Sequence, residues 1–173
     1  MTGREVYLRA MEPEDLDFLY NMENDRELWN VGNANAPYSR YVLHDYIANA
    51  SNDIYNDGQV RMIVENERHD TIGLVDILNF CPQHNRAEVS VVIQKKYRGN
   101  GYASLAMRKI HTYSVRILHL HQLYAIVAES NTASLTLFDS LGYSRRNLLE
   151  EWLFDGSKYE NGVVMQKIFE KNS

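Results

Sequence analysis

The sequence has few of the features that mark secreted, membrane-embedded or multi-domain proteins. It contains a single cysteine, Cys81, so an intrachain disulfide cannot form and a reducing cytoplasm is the expected location. No apolar run approaches the ~20 residues of a membrane-spanning helix, and the N-terminus has no basic-then-apolar signal peptide. There is no internal repeat, low-complexity tract or Pro/Gly/Ser-rich linker. We therefore expect one domain over residues 1–173.

The chain also lacks an excess of positive charge. It has 18 Lys and Arg against 23 Asp and Glu, a net charge of −5, which argues against nucleic acid or acidic membranes as partners and suits a cationic ligand. His111, His119 and His121 do not form a metal motif, because a metal site needs three or four converging ligands. We expect no metal. A hydrophobic fraction of 45% is enough for a core.

The hydrophobic pattern predicts strands and helices in alternation. The predicted strands cover residues 6–9, 60–64, 71–78, 87–94, 123–128, 143–154 and 162–169. A first helix begins near Pro13, and Ser39 can cap a second that places Val42, Tyr46 and Ile47 on one side. Two further helices are predicted over residues 101–118 and 132–141. This order predicts an α/β layered domain with a mixed sheet.

A glycine-rich turn after the fourth predicted strand is the most informative segment. It reads Arg98-Gly99-Asn100-Gly101-Tyr102-Ala103 and leads into the long helix. Glycines allow unusual backbone angles and a close approach of ligand to backbone, and free N–H groups at a helix start suit a pyrophosphate. The turn matches neither the P-loop nor the Gly-x-Gly-x-x-Gly dinucleotide pattern. Its alternative interpretation is an ordinary strand-to-helix connection.

A second segment follows the fifth predicted strand and reads Asn131-Thr132-Ala133-Ser134-Leu135-Thr136-Leu137-Phe138-Asp139-Ser140-Leu141-Gly142-Tyr143. Gly142 lies where a helix C-cap glycine is expected. Together, the two segments resemble the acetyl-CoA motifs of the GNAT N-acetyltransferase family, Arg/Gln-x-x-Gly-x-Gly/Ala and Asn-x-x-Ala/Ser-x-x-Leu-Tyr-x-x-Leu-Gly-Phe. Other stretches resemble the branch of spermidine and ribosomal-protein acetyltransferases: residues 6–9, 12–16, 72–76, 85–89 and 149–156.

The resemblance implies a GNAT fold with acetyl-CoA as cosubstrate. In that fold a mostly antiparallel sheet of about seven strands, with helices on both faces, splays between its fourth and fifth strands. The resemblance implies that the backbone of Val91, Val92 and Ile93 binds the pantetheine and stabilises the oxyanion. Asn131 and Phe138 would approach the cofactor. The phosphate-binding residues would be Arg98, Gly99, Asn100, Gly101, Tyr102, Ala103 and Ser104.

The acceptor must lose a proton before it attacks, since an alkylamine has a pKa near ~10.4. The resemblance puts a carboxylate at Glu88, and Asp76 in the preceding strand is the neighbouring candidate; both could bind a cationic amine and accept its proton. Each could instead be a solvent-facing strand residue. We expect a small-molecule amine acceptor, above all a polyamine or diamine. A ribosomal-protein N-terminus, an aminoglycoside and a catalytically silent acyl-CoA-binding module are the alternatives.

Two departures from the family pattern matter. Phe138 replaces the usual general-acid tyrosine, and a positioned acid contributes ~10²–10⁴-fold, so Ser134 or a water would have to substitute. Spermidine acetyltransferases also carry an acidic cluster after an early tryptophan-like position, whereas residues 30–36 after Trp29 contain no acid. An allosteric polyamine site and its dodecamer are therefore not expected. A homodimer or higher homo-oligomer is expected, because GNAT proteins often pair.

Overall fold

A computed structural model describes residues 3–25 and 36–170. Over these residues, seven strands form one sheet in the order β1-β2-β3-β4-β5-β7-β6. Only β4 and β5 run parallel, and the other neighbours are antiparallel. The mixed, mostly antiparallel sheet is thus confirmed. The strands are β1 (Val6–Ala10), β2 (Val60–Asn66), β3 (Thr71–Cys81), β4 (Arg86–Ile93), β5 (Gln122–Ala128), β6 (Ser144–Phe154) and β7 (Tyr159–Ile168).

In the part of the chain that the structure describes, five α-helices accompany the sheet: α1 (Leu16–Glu23), α2 (Arg40–Asn49), α3 (Ile54–Asp57), α4 (Tyr102–Arg116) and α5 (Thr132–Ser140). The predicted cap of α2 is confirmed, because the Ser39 hydroxyl accepts a hydrogen bond from the Val42 N–H at 3.1 Å. The side of α2 predicted from Val42, Tyr46 and Ile47 is not its most buried side. Val42 is 49% exposed, whereas Leu43 is 4% exposed and packs into the core. The one-turn helix α3 was not predicted.

The helices cover the two faces of the sheet and separate two sets of buried side chains. On one face, Ala106, Met107 and Ile110 of α4 pack with Ala87 and Val89 of β4, and all five are nearly inaccessible to solvent. Fully burying a side chain such as Met or Ile contributes about 1.5–3 kcal/mol relative to leaving it exposed, so this layer fixes α4 firmly.

On the opposite face, α1 and α2 bury Leu19 and Leu43 against Ile63 of β2 and Leu74 of β3. Because strand side chains alternate between faces, the even-numbered residues of β4 face the same side as these two helices. Glu88 therefore lies on the α1/α2 face. Among the described residues, no helix is long and apolar enough to cross a membrane.

Candidate active site

The sheet opens between β4 and β5. The two strands pair at Arg86–Gln122, Ala87–Leu123 and Glu88–Tyr124, and their register contains no further pair. On its other side β4 stays paired with β3 as far as Ile93. Within the described residues, one edge of β4 beyond Glu88 thus has no strand partner. An extended ligand can form hydrogen bonds along such an edge.

The directions of the N–H groups of β4 reduce the number of backbone donors available at the predicted pantetheine site. The Gln94 N–H donates to the Ile72 carbonyl of β3 at 2.8 Å. Since successive residues of a strand direct their hydrogen-bonding groups to opposite edges, Val92 also faces β3, whereas Val91 and Ile93 face the open edge. The Val92 N–H is therefore directed at β3 within the sheet. The N–H groups of Val91 and Ile93, two of the three predicted donors, are left for a cofactor.

The turn before α4 has the geometry of an anion site. Gly99 and Gly101 have φ angles of 74° and 84°, in the left-handed region that favours glycine. Gly101 is the N-cap of α4, and no side chain of the described residues caps this helix. The first-turn N–H groups of α4, among them those of Tyr102, Ala103 and Ser104, have no partner within the helix and lie at its positive end.

Side chains of the turn hold its carbonyl groups. The Arg98 Nε donates to the Ile93 carbonyl at 2.7 Å, which ties the predicted phosphate ligand back to the end of β4. The Asn100 Nδ2 donates to the carbonyls of Tyr97 and Arg98, both at 3.1 Å. The conformation of the turn is therefore built before any cofactor arrives.

Helix α5 carries the second motif to the far side of the opening. The Asn131 Oδ1 accepts from the Ser134 N–H at 3.1 Å, so Asn131 caps the helix, a role that the sequence analysis did not assign to it. Phe138 is 5% exposed, and its ring meets that of Tyr143 edge-on, with centroids 4.8 Å apart. No hydroxyl stands at position 138 itself.

A buried hydrogen bond lies behind Phe138. The Tyr143 hydroxyl and His111 Nε2 are 2.8 Å apart. Burial, helped by the charges of Lys167 and Arg108, lowers the pKa of His111 to about 4. The ring is therefore neutral at pH 7 and shares one hydrogen bond with the Tyr143 hydroxyl through Nε2. Burial raises the pKa of Tyr143, so this hydroxyl holds its proton strongly.

Glu88 lies at the last paired position of β4 and β5, on the face opposite to buried Ala87 and Val89, as the alternation predicted. The Asn79 Nδ2 donates to its Oε2 at 2.8 Å. Asn79 follows a register break in β3 and has a φ of 48°. Sequence reasoning missed this residue, and the only available signal was that asparagine tolerates left-handed backbone angles. Burial, and next the Glu88 carboxylate, raise the pKa of neighbouring Tyr124.

Asp76 is on the same face, but its carboxylate is already paired. Arg61 of β2 donates from Nε to Oδ1 at 2.7 Å and from Nη2 to Oδ2 at 3.1 Å, and it also pairs with Glu23 of α1. Burial acts to lower the pKa of Arg61, but Asp76 and Glu23 outweigh it and raise the pKa above its usual value. The Asp76 carboxylate is thus engaged by Arg61, and its predicted role in binding the acceptor stays a prediction. Glu88 is left as the candidate.

The predicted acceptor loop lies mostly outside the described residues. Trp29 and residues 30–35 fall in the undescribed range 26–35. The predicted absence of an allosteric polyamine site rests on these residues, so it also lies outside the described part of the chain. At the described ends of this range, the Asn24 side chain accepts from the Tyr38 N–H at 2.8 Å and donates to its carbonyl at 3.0 Å. This pair of bonds holds the end of α1 beside the residue that precedes the Ser39 cap.

Comparison with known proteins agrees with the splayed sheet and the glycine turn. Residues 5–144 match the model of the acetyltransferase (GNAT) domain. Two similar relatives are spermidine N(1)-acetyltransferases. The Vibrio cholerae enzyme is 28% identical over 91% of this chain and 89% of its own length, and the Escherichia coli enzyme is 28% identical over 95% and 86%. The chain belongs to the GNAT family of acetyl-CoA-dependent N-acetyltransferases, as its motifs predicted.

Solved structures agree. A Vibrio cholerae spermidine N-acetyltransferase in complex with CoA and spermine has a TM-score of 0.84 and 28% identity, with 95% of both chains covered. A dodecameric form of the Vibrio cholerae enzyme in an intermediate state has a TM-score of 0.80 and 29% identity, covering 95% of this chain and 94% of the other. The GNAT fold and the use of acetyl-CoA are therefore confirmed.

Proposed function

We propose that the protein transfers the acetyl group of acetyl-CoA to a primary amine of a polyamine or diamine such as spermidine. The observation that carries the proposal is the position of Glu88. It presents a carboxylate on the α1/α2 face of β4, at the last residue before β4 and β5 separate. A cationic amine bound there reaches both the carboxylate and the opening that admits the thioester. The named relatives, which act on spermidine, support this acceptor class.

The reaction follows from direct attack in a ternary complex. Glu88 accepts a proton from the bound ammonium, directly or through one water, and the free amine attacks the thioester carbonyl. The N–H groups on the open edge of β4, at Val91 and Ile93, stabilise the negative oxygen that forms. The carbon–sulfur bond then breaks and releases CoA thiolate. The nitrogen loses its second proton as the amide forms, Glu88 returns its proton to solvent, and the thiolate takes up a proton from solvent.

Asn79 has a positioning role in this scheme. Its amide holds one oxygen of Glu88 at 2.8 Å, which leaves the other oxygen for the amine. A carboxylate fixed in this way loses less conformational entropy when the acceptor binds. Asn79 itself is placed by its left-handed backbone angle at the register break of β3.

The leaving thiolate has no tyrosine at position 138 to protonate it. A thiol with a pKa near ~8.5 is a fair leaving group that solvent can protonate. Ser134, one helical turn before Phe138 and half-buried, is the alternative donor on α5. The remaining catalysis comes from proximity and from the backbone electrostatics of β4.

We infer that copies of the chain associate through β6 and β7. β6 is an edge strand with nearly every residue exposed. Exposed apolar side chains lie on both strands of this hairpin: Leu148, Trp152, Phe154, Tyr159 and Ile168. Exposed apolar groups concentrated on an edge strand are typical of an interface. The dodecameric relative supports a homo-oligomer, and light scattering of the purified chain measures its size.

The experiment that tests the function is thiol release from acetyl-CoA with spermidine, spermine, putrescine or an aminoglycoside, beside a reaction without acceptor. We expect acceptor-dependent release with a polyamine and a mass increase of one acetyl group on it. Tight CoA binding without release would contradict the proposal. It would favour a silent acyl-CoA-binding module, consistent with Phe138, or a ribosomal-protein N-terminus, which N-terminal peptides would then test.

A further inference from the structure

The turn before α4 can bind an anion only if its carbonyl groups point elsewhere. The C=O and the N–H of one planar peptide unit point in opposite directions. A donor that holds the carbonyl of one residue therefore fixes the direction of the next residue's N–H. Asn100 does this for the unit between Arg98 and Gly99, because its Nδ2 donates to the Arg98 carbonyl at 3.1 Å.

Arg4 supplies the corresponding donor for the peptide unit between Asn100 and Gly101. Its Nη1 donates to the Asn100 carbonyl at 2.9 Å, and its Nη2 donates to the Asn100 Oδ1 at 3.3 Å. The first bond directs the Gly101 N–H away from Arg4. The second bond holds the Asn100 side chain in the orientation in which its amide reaches the carbonyls of Tyr97 and Arg98. One guanidinium thus organises three carbonyl groups of the turn.

We propose that Arg4 is a positioning residue for the phosphates of acetyl-CoA, although it lies 94 residues before the glycine turn and outside both cofactor motifs. Its planar fork matches the two acceptors of Asn100, and a lysine cannot reproduce it. The inference rests on the placement of the cofactor phosphates at this turn, which is part of the proposed function.

A second contact fixes the turn from another direction. The Tyr102 hydroxyl donates to the Glu67 carboxylate, at 3.1 and 3.0 Å from its two oxygens. Glu67 lies between β2 and β3, so the first residue of α4 is tied to the β2–β3 turn. The Tyr102 contact fixes the turn after Gly101. The Arg4 contact fixes the peptide unit before Gly101, because Arg4 holds the Asn100 carbonyl.

Titration calorimetry with CoA, which needs no acceptor, tests the role of Arg4. We expect Arg4→Gln to raise the Kd for CoA about fivefold, since hydrogen bonds from a charged donor are stronger than neutral ones but Arg4 is exposed. Arg4→Lys should weaken CoA binding to a similar extent, because lysine keeps the charge but lacks the planar fork of the guanidinium. The matched control is Arg68→Gln, which removes an exposed cation near Tyr102 and leaves the Asn100 contacts intact.

A donor without phosphates provides the decisive comparison. The KM for S-acetyl-pantetheine should be the same in Arg4→Gln and wild type, because this donor does not reach the turn. A Kd for CoA within twofold of wild type in Arg4→Gln, or an equal loss in Arg68→Gln, would overturn the proposal. So would an equal loss with S-acetyl-pantetheine. If wild type bound CoA and pantetheine equally well, the phosphate site itself would be absent, and acetyl transfer to polyamines would remain testable separately.

Discussion

The two halves of the cleft recognise their ligands with different parts of the chain. On the cofactor side, the candidate contacts are backbone N–H groups of β4 and of the turn at Gly99 and Gly101. On the acceptor side, the candidate contact is one carboxylate, Glu88, and its neighbour Asp76 is occupied by Arg61. Backbone recognition depends on where the chain runs, whereas side-chain recognition depends on which partners each group finds after folding.

This difference makes the two sides respond differently to substitution. Changing an acceptor-side residue removes a whole functional group, so a single substitution can abolish chemistry. Cofactor-side N–H groups cannot be removed by substitution, except by proline, so changes there act through geometry and have smaller effects. The predictions below test this contrast.

The largest effect is expected for Glu88→Gln, which keeps the shape of the side chain and removes the proton acceptor. We expect kcat/KM for the amine to fall about 10²–10³-fold, within the range for a positioned general base, while the Kd for CoA stays unchanged. Steady-state kinetics and calorimetry measure the two quantities. Glu14→Gln, the same change at an exposed residue of a 3₁₀ turn, is the control. Equal activity of Glu88→Gln and wild type would exclude Glu88 as the base.

Arg61→Met tests whether Asp76 is structural. Removing one member of a largely buried ion pair leaves the other uncompensated, so we expect the free energy of unfolding to fall by about 3 kcal/mol. The double variant Arg61→Met with Asp76→Leu should recover much of that loss. Urea denaturation measures both. If Asp76 bound the acceptor instead, Asp76→Asn would keep its stability and show a raised KM for the amine.

Phe138→Tyr restores a hydroxyl where the family has its general acid. We expect kcat to rise about tenfold, less than the full range for a positioned acid because proximity and backbone electrostatics already act. Tyr143→Phe removes the neighbouring hydroxyl and should leave kcat unchanged, since that hydroxyl is already hydrogen-bonded to His111. Unchanged or lower turnover in folded Phe138→Tyr would count against the missing-acid explanation.

The smallest effect concerns pH. The pKa of His111 is about 4 in the folded protein and ~6.5 in the unfolded chain. The unfolded chain therefore binds more protons between these values, and stability falls as the pH drops through this window. Above pH ~6.5 the contribution is fully present. We expect the wild type to lose about 1 kcal/mol more than His111→Gln between pH 7.5 and about 5.8 in urea titrations. Parallel pH curves for the two proteins would contradict this assignment.

The same contrast explains how much could be predicted from the sequence. The alternation of apolar residues in β4, the Ser39 cap and the two glycines of the turn are local signals, and the structure agrees with each. The partners of Asp76, Glu88 and the turn come from Arg61, Asn79 and Arg4. These contacts join residues 15, 9 and 96 positions apart, and no spacing rule connects such residues before the sheet register is known.

The three residue pairs between β4 and β5 have a consequence for folding. They join a four-stranded N-terminal half of the sheet to a three-stranded C-terminal half, and no other strand pair links the halves among the described residues. A junction of only three residue pairs is a typical boundary between separate cooperative units. At the proposed site in the opening beyond these pairs, acetyl-CoA would contact both halves. Its binding would then cross-link them and stabilise the native sheet by RT ln(1 + [L]/Kd).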